Sequence, residues 1–233
     1  MENTGTEIKN GDTAAAPEGD NPEQAKGRIE KKRWFRAHRR KAKESFRELI
    51  REKRRKLKTT WIAARSRLIQ KKAVDLEQMR NASSVFCYIA APGEVLTDRV
   101  LKFCFKKGKQ LYIPAWDAVY KRYVAAEYGP DDTLVPGPMQ ILQPEKIRPA
   151  CKPVDVAVVP GMAFDLTGVR VGHGCGHYDR IFKDRLFKST YKIGLGFAFQ
   201  VFDSAPANRR DARMNAVVTE AEVFLAKKSN KKN

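Results

Sequence analysis

Ser84-Val85-Phe86-Cys87-Tyr88-Ile89 is a strand-length run of mostly apolar residues, and the segments after it decide the fold. Thr97 opens a helical pattern that runs to Lys107 and is stopped by Gly108, and Gln110 to Ile113 is again short and apolar. A strand, a helix capped by Thr97 and a second strand in that order make a βαβ unit. Val154–Val159 reads as another buried strand, followed by a glycine-rich segment and a helix over Tyr178–Phe187, and short strands at Lys192–Phe197 and Val217–Thr219 close the chain. This alternation predicts an α/β fold: a single three-layer Rossmann-like domain with a mostly parallel sheet covered on both faces. Between these strands lies a less regular middle, punctuated by Pro130, Pro136, Pro138, Pro144 and Pro149.

Upstream of Ser84 the period is helical. One helix carries Trp61, Ala64, Leu68 and Leu76 or Met79 as its expected buried face; the one before it, Lys31–Lys58, places Phe46, Leu49, Ile50 and Leu57 on one stripe. Glu48 with Arg51, and Glu52 with Lys56, add support at three- and four-residue spacing. Residues 1–26 lack apolar periodicity, and the expected state there is disorder. The expected organisation is an arm over residues 1–40, disordered and then basic and helical, an α/β domain over 41–226 and a basic tail over 227–233.

Charge is divided in the same way. Residues 1–26 hold six acids and two bases, whereas residues 27–58 hold sixteen bases and four acids, within a net charge of +19. The cluster Lys31-Lys32-Arg33-Trp34-Phe35-Arg36-Ala37-His38-Arg39-Arg40-Lys41 suits a weak contact with nucleic acid or an anionic membrane; it is equally a solvated helix extension. Cys87, Cys104, Cys151 and Cys175 form no Cys-x-x-Cys pair and come after no secretory apolar run, which speaks against a disulfide framework and for a reducing compartment. No apolar run approaches the roughly twenty residues of a membrane helix. The expected setting is the cytoplasm, and the expected state a monomer.

The chemistry concentrates where Val159-Pro160-Gly161 leaves a strand. Thr167-Gly168 turns the chain, and glycines stand at 172, 174 and 176 before a helix. Alternate glycines let a backbone pass close to a bulky anion, and amides opening a helix favour negative charge. Arg170 and Arg180 flank the segment as cations suited to phosphate oxygens, while Asp179 adds a carboxylate that a bridging magnesium would want. A tight turn also uses glycines, so spacing alone leaves both readings open. His173, Cys175 and His177 alternate, and on an extended segment they would share one side.

Pro160, Gly161, Phe164, Asp165, Gly168, Arg170, Val171, Gly172, Gly174, Gly176, Tyr178, Asp179 and Arg180 together resemble the signature of the 5-formyltetrahydrofolate cyclo-ligases, or methenyltetrahydrofolate synthetases. The resemblance runs over about residues 43–220. Lys43 and Arg47 match the family's opening Lys-x-x-x-Arg helix, Ile89 and Glu94 its strand leading to an acid, and Asp211 the acid before its last strand, here Val217 to Glu220.

The resemblance implies an ATP- and magnesium-dependent cyclisation of 5-formyltetrahydrofolate (folinate) to 5,10-methenyltetrahydrofolate with release of ADP and phosphate. It also implies roles. Lys43, Arg47 and the run Arg170, Gly172, His173, Gly174, Cys175, Gly176, His177 and Tyr178 would hold ATP, and Asp179 and Asp211 magnesium. Ile89, Glu94 and Trp116 would meet the folate, with Arg170, Asp179 and Arg180 as the catalytic set. Phosphoryl transfer asks for positioning and charge neutralisation rather than a covalent nucleophile, which agrees with these residue types. The chain departs from the family at His173, where Arg or Tyr is common, at Cys175, where Gly or Lys is common, at His177, where an aromatic residue is common, and at Asn215, which replaces an acid. The alternatives are a non-catalytic nucleotide-binding or RNA-associated relative, and a ligase or kinase for another substrate.

Overall fold

Strands apolar on both faces need cover from both sides, and the chain supplies it. The computed structural model describes residues 22–208 and 211–226, so the disorder expected of residues 1–21 and the tail from 227 lie outside the described residues. By its contacts the chain divides into residues up to His38 and residues from Arg39 onward. In the first unit the Trp34 and Phe35 rings meet edge to face at 5.0 Å, and Trp34 lies 3.7 Å from the His38 ring. The second unit carries the sheet and every candidate site residue.

Helices α1 (Pro22–Arg55), α2 (Thr59–Asp75) and α3 (Glu77–Asn81) precede β1 (Ser84–Cys87), α4 (Asp98–Lys106), β2 (Gln110–Asp117) and β3 (Arg122–Glu127). The irregular middle contains a hairpin of β4 (Leu134–Pro136) and β5 (Leu142–Pro144). Then come β6 (Val156–Pro160), β7 (Ala163–Asp165), β8 (Arg170–Val171), α5 (His177–Ile181), β9 (Tyr191–Leu195), β10 (Val201–Phe202), β11 (Ala216–Val218) and β12 (Val223–Leu225). The main sheet has the order β12-β11-β9-β6-β1-β2-β3. Its five inner strands are parallel, and β3 and β12 close the edges antiparallel. The three-layer, mostly parallel expectation therefore holds: Val85, Leu111, Val158 and Ile193 pack on one face, with Ile69, Val100 and Cys104 of the helices. Phe86, Ala157, Val159 and Val217 pack on the other with Ile181 and Phe187.

Several local expectations are corrected. Helix α1 starts at Pro22, inside the stretch expected to be disordered to residue 26; Pro suits a first helical position and Glu23-Gln24-Ala25-Lys26 are good helix formers. Leu49 and Leu68 are exposed, as is Ala64, while Arg47, Ile50, Ser66, Ile69, Gln70 and Ala73 are buried. The buried polar groups explain the shift. Gln70 Oε1 accepts from the Arg99 and Val100 amides at 2.7 and 3.2 Å, capping α4 in place of Thr97, whose hydroxyl donates instead to Tyr88 O. The helix expected over 178–187 ends at Ile181, because Asp184 restarts the chain as a 3-10 turn by accepting from the Leu186 amide.

At the centre of the sheet β1 and β6 lie side by side; from β1 the chain proceeds to one edge and from β6 to the other. Such a switch point opens a crevice beyond the strands' carboxyl ends, where the segments after Cys87 and Pro160 emerge.

Candidate active site

Half of the glycine-rich signature is architecture. Phe164 is fully buried in a cradle of glycines: a Cβ added to Gly161 or Gly194 would come within 2.5 Å of its ring, and one on Gly196 within 3.0 Å. Asp165, also buried, accepts at Oδ1 from the Thr167 and Val169 amides and the Thr167 hydroxyl, and at Oδ2 from the Ala205 amide. These four bonds satisfy the carboxylate and fix the β7–β8 turn that delivers Arg170.

The second half is a loop held open. Gly174 and Gly176 take φ of +114° and +67°, a region side chains resist, so residues 172–176 bend rather than extend. The side chains of His173 and His177 consequently part, to Glu94 and to Arg180, instead of sharing one side. Arg47 Nε donates to Gly172 O at 2.8 Å, and its guanidinium lies close enough to Gly174 that an added Cβ would touch it at 3.5 Å. The loop backbone thus rides on α1.

Charges converge around that loop. Arg170 Nη2 lies 3.5 Å from Asp179 Oδ1, its Nη1 donates to Pro160 O, and its guanidinium sits 5.2 Å over the Tyr178 ring. Asp179 Oδ1 also accepts from the Ala212 amide at 3.1 Å, which brings it beside Asp211. Asp211 in turn pairs with Lys43 at 2.5 Å. Beside the loop, Arg170 Nε and His177 Nε2 are buried without a hydrogen-bond partner among the described residues. Burial, then the neighbouring Arg180 charge, lowers the His177 pKa, and its Nδ1 lies 2.8 Å from Arg180 Nη2. A neutral ring accepting there carries its proton on Nε2, a tautomer assigned from the hydrogen-bond network. Buried donors left over beside a loop flanked by Arg47, Arg170 and Arg180 fit an anionic ligand, and the Asp179–Asp211 neighbourhood supplies the hard oxygen donors magnesium prefers. Among the described residues no group of three or more His, Cys, Asp or Glu is placed to hold a metal, so water and ligand oxygens would complete such a shell.

On the other side stands Glu94, buried on the turn after β1, which accepts from the Ala91 amide at 3.1 Å and meets His173 Nε2 at 3.2 Å. Tyr88 and Tyr178 near it are pushed well above the ordinary phenol range by burial and then by the Glu94 charge, so both stay protonated. Ile89 comes after β1 and is half-buried. Trp116, half-buried on β2, reaches the loop through a relay of rings: it meets Tyr123 at 5.3 Å, and Tyr123 meets His177 at 4.7 Å. Arg180 is exposed and bonds His177, apart from the Arg170–Asp179 pair.

The sequence profile of the 5-formyltetrahydrofolate cyclo-ligase family matches residues 39–220. The chain belongs to this family. It is 30% identical over 179 residues to the 5-formyltetrahydrofolate cyclo-ligase of Saccharomyces cerevisiae, covering 67% of this chain and 85% of the yeast protein. A probable 5-formyltetrahydrofolate cyclo-ligase of Caenorhabditis elegans is 29% identical over 172 residues, covering 66% and 81%. The 5,10-methenyltetrahydrofolate synthetase of Aquifex aeolicus superposes with a TM-score of 0.70 at 27% identity, covering 82% of this chain and 96% of that one.

Within this cyclo-ligase-family site the structure adds residues that sequence reading passed over. Arg54 lies seven residues after Arg47 on α1, donates to Gly161 O at 2.8 Å and sits 3.9 Å from Glu94. Its spacing from Lys43 and Arg47 was the available signal, since steps of four and seven share a helix face. Gln200, fully buried, donates to the carbonyls of Gly161 and Met162 and anchors the β6–β7 turn from below. Tyr123 lay in the irregular middle, where no periodicity marked it.

Proposed function

We propose that this chain closes 5-formyltetrahydrofolate to 5,10-methenyltetrahydrofolate at the expense of ATP, with magnesium, releasing ADP and phosphate. The observation that carries the reading is the pair of unsatisfied buried donors beside the open glycine loop, Arg170 Nε and His177 Nε2, with a third, Arg54 Nε, on the side of the buried Glu94. Magnesium ATP supplies the activation that makes the formyl oxygen a leaving group. Lys43, Arg47 and the loop from Gly172 to Tyr178, Cys175 included, hold the phosphates, while Arg170 balances the charge that builds during transfer. Asp179 and Asp211 are the proposed magnesium ligands. Glu94 accepts from N–H donors of the folate's pterin ring, with Ile89 and Trp116 against its apolar surface, and Arg180 steadies the loop through His177. A single assay tests this: folinate with magnesium ATP gives the absorbance of the methenyl product, and omission of either nucleotide or metal abolishes it. A folded protein that binds ATP and yields no product refutes the reading.

The proposed setting is a monomer in the cytoplasm, a reading that rests on the four cysteines forming no Cys-x-x-Cys pair. Among the described residues no helix is long and apolar enough to cross a membrane. A second reading concerns the arm. Trp34 and Phe35 are 55% and 44% exposed on a helix dense in arginine, an arrangement suited to weak stacking on a single-stranded nucleic acid. Binding that falls steeply as salt rises, and disappears with residues 31–41, is the expected result; salt-insensitive binding overturns it.

A further inference from the structure

Glu94 is held from two directions by side chains that come from distant parts of the chain. Arg54, its side chain 9% exposed, lies 3.9 Å from Glu94 Oε1, and His173 Nε2 reaches the same oxygen at 3.2 Å. Arg54 is fastened in turn: its Nη2 donates to Gly161 O at 2.8 Å, its Nη1 lies 3.5 Å from Met162 Sδ, and its stem packs on Gly93, where an added Cβ would meet Arg54 Cβ at 3.4 Å. The guanidinium therefore joins α1, the turn that presents Glu94 and the turn leaving β6. Burial lowers the Arg54 pKa and the Glu94 charge opposes that shift. His173 is 53% exposed and belongs to the glycine loop, which Arg47 ties to the same helix two turns earlier.

We propose that Arg54 and His173 are positioning residues: Arg54 holds the Glu94 carboxylate aimed, and His173 couples it to the phosphate loop, so that the folate side and the nucleotide side order each other. This rests on the function proposed above. The physical basis is that a cation beside a buried carboxylate offsets the cost of burying its charge and fixes its direction. A bond between loop and carboxylate also means that ordering one removes part of the entropy cost of ordering the other.

The test uses the full chain with folinate and magnesium ATP. Arg54→Met is expected to raise the folinate KM about tenfold, the size of one charge-assisted contact, with a much smaller fall in kcat, and Arg54→Lys to recover part of the loss. His173→Phe is expected to weaken the dependence of folinate KM on nucleotide concentration, while His173→Gln, which can still donate to Glu94, retains it. Hydrogen exchange gives a readout independent of turnover: amides of residues 90–95 and 172–176 should both exchange faster in Arg54→Met and in His173→Phe. Should Arg54→Met fail to fold, Arg54→Lys and His173→Phe carry the same comparisons. An inactive wild type counts against the proposed function. An active wild type whose variants keep their folinate KM, or exchange unchanged in both segments whatever the activity, counts against the positioning role.

Discussion

Lys43 Nζ and Asp211 Oδ2 are 2.5 Å apart, joining the first long helix to a loop 168 residues later, with each side chain 12% exposed. The Asp211 carboxylate also accepts from the Asn208 amide at 2.7 Å, so it is oriented before any ligand arrives. Lys43→Met is expected to destabilise the fold by about 2 kcal/mol, because it leaves a largely buried carboxylate without its cation. Urea melts of Lys43→Met, Asp211→Asn and the double variant check this: the double should recover part of the single losses, and simple additivity would show that the pair is not coupled.

Asp179 faces Arg170 and the Ala212 amide, beside Asp211. Asp179→Ala is expected to lower turnover about a hundredfold, equivalent to about 3 kcal/mol in the barrier, while folinate binding weakens far less. Equilibrium binding measured beside single-turnover rates separates the two; equal losses in both would remove the metal-ligand role.

The four thiols should sort by environment. Burial pushes Cys104 up to about 12 and Cys87 well above the ordinary thiol range, whereas Cys151 and Cys175 are exposed. At pH 8 a thiol of that pKa is roughly one part in ten thousand thiolate, so an alkylating reagent should spare Cys104 in the folded chain. Cys175 should react, and a non-hydrolysable ATP analogue should slow it. Protection absent at saturating nucleotide would move the phosphate site away from the loop.

Gly194→Ala should destabilise by about 1–3 kcal/mol, since the new methyl would stand 2.5 Å from the Phe164 ring and the core must shift to admit it. A thermal melt reads the loss.

Removal of residues 1–26 should leave turnover nearly intact, because every candidate site residue lies from Lys43 onward. A large loss on truncation would extend the catalytic unit into the arm.

Forces that leave a periodic trace are the ones a sequence displays. The buried runs at Val85 and Val154 named the parallel strands because both faces of such strands must be apolar. The glycine loop and Asp179 were legible because few residues tolerate those dihedrals or that company of charge. Arg54 was not, since an arginine on a helix crowded with bases looks solvated, and only packing against Gly93 and Glu94 distinguishes it. Gln70 and Ser66 were overlooked for a related reason: apolar periodicity picks Leu68 as the buried face, whereas α2 turns toward α4 to satisfy its amides. The antiparallel β3 and β12 edges are too short or too polar to announce themselves.

The order of the main sheet bears on how the molecule assembles. Within the main sheet β1 to β3 follow one another in sequence, and β6, β9, β11 and β12 come later, interrupted by the strands β7, β8 and β10 of a smaller sheet; the two sets pair only between β1 and β6. Each set can pair its own neighbours during synthesis, but the seam between them closes an interval of 71 residues, from Val85 to Val156, and long closures come late. Glu94 issues from one side of that seam and the glycine loop from the other. Catalytic competence should therefore be the last property the nascent chain acquires, after most of its secondary structure is protected, and an early-terminated product would present paired strands with no functional crevice.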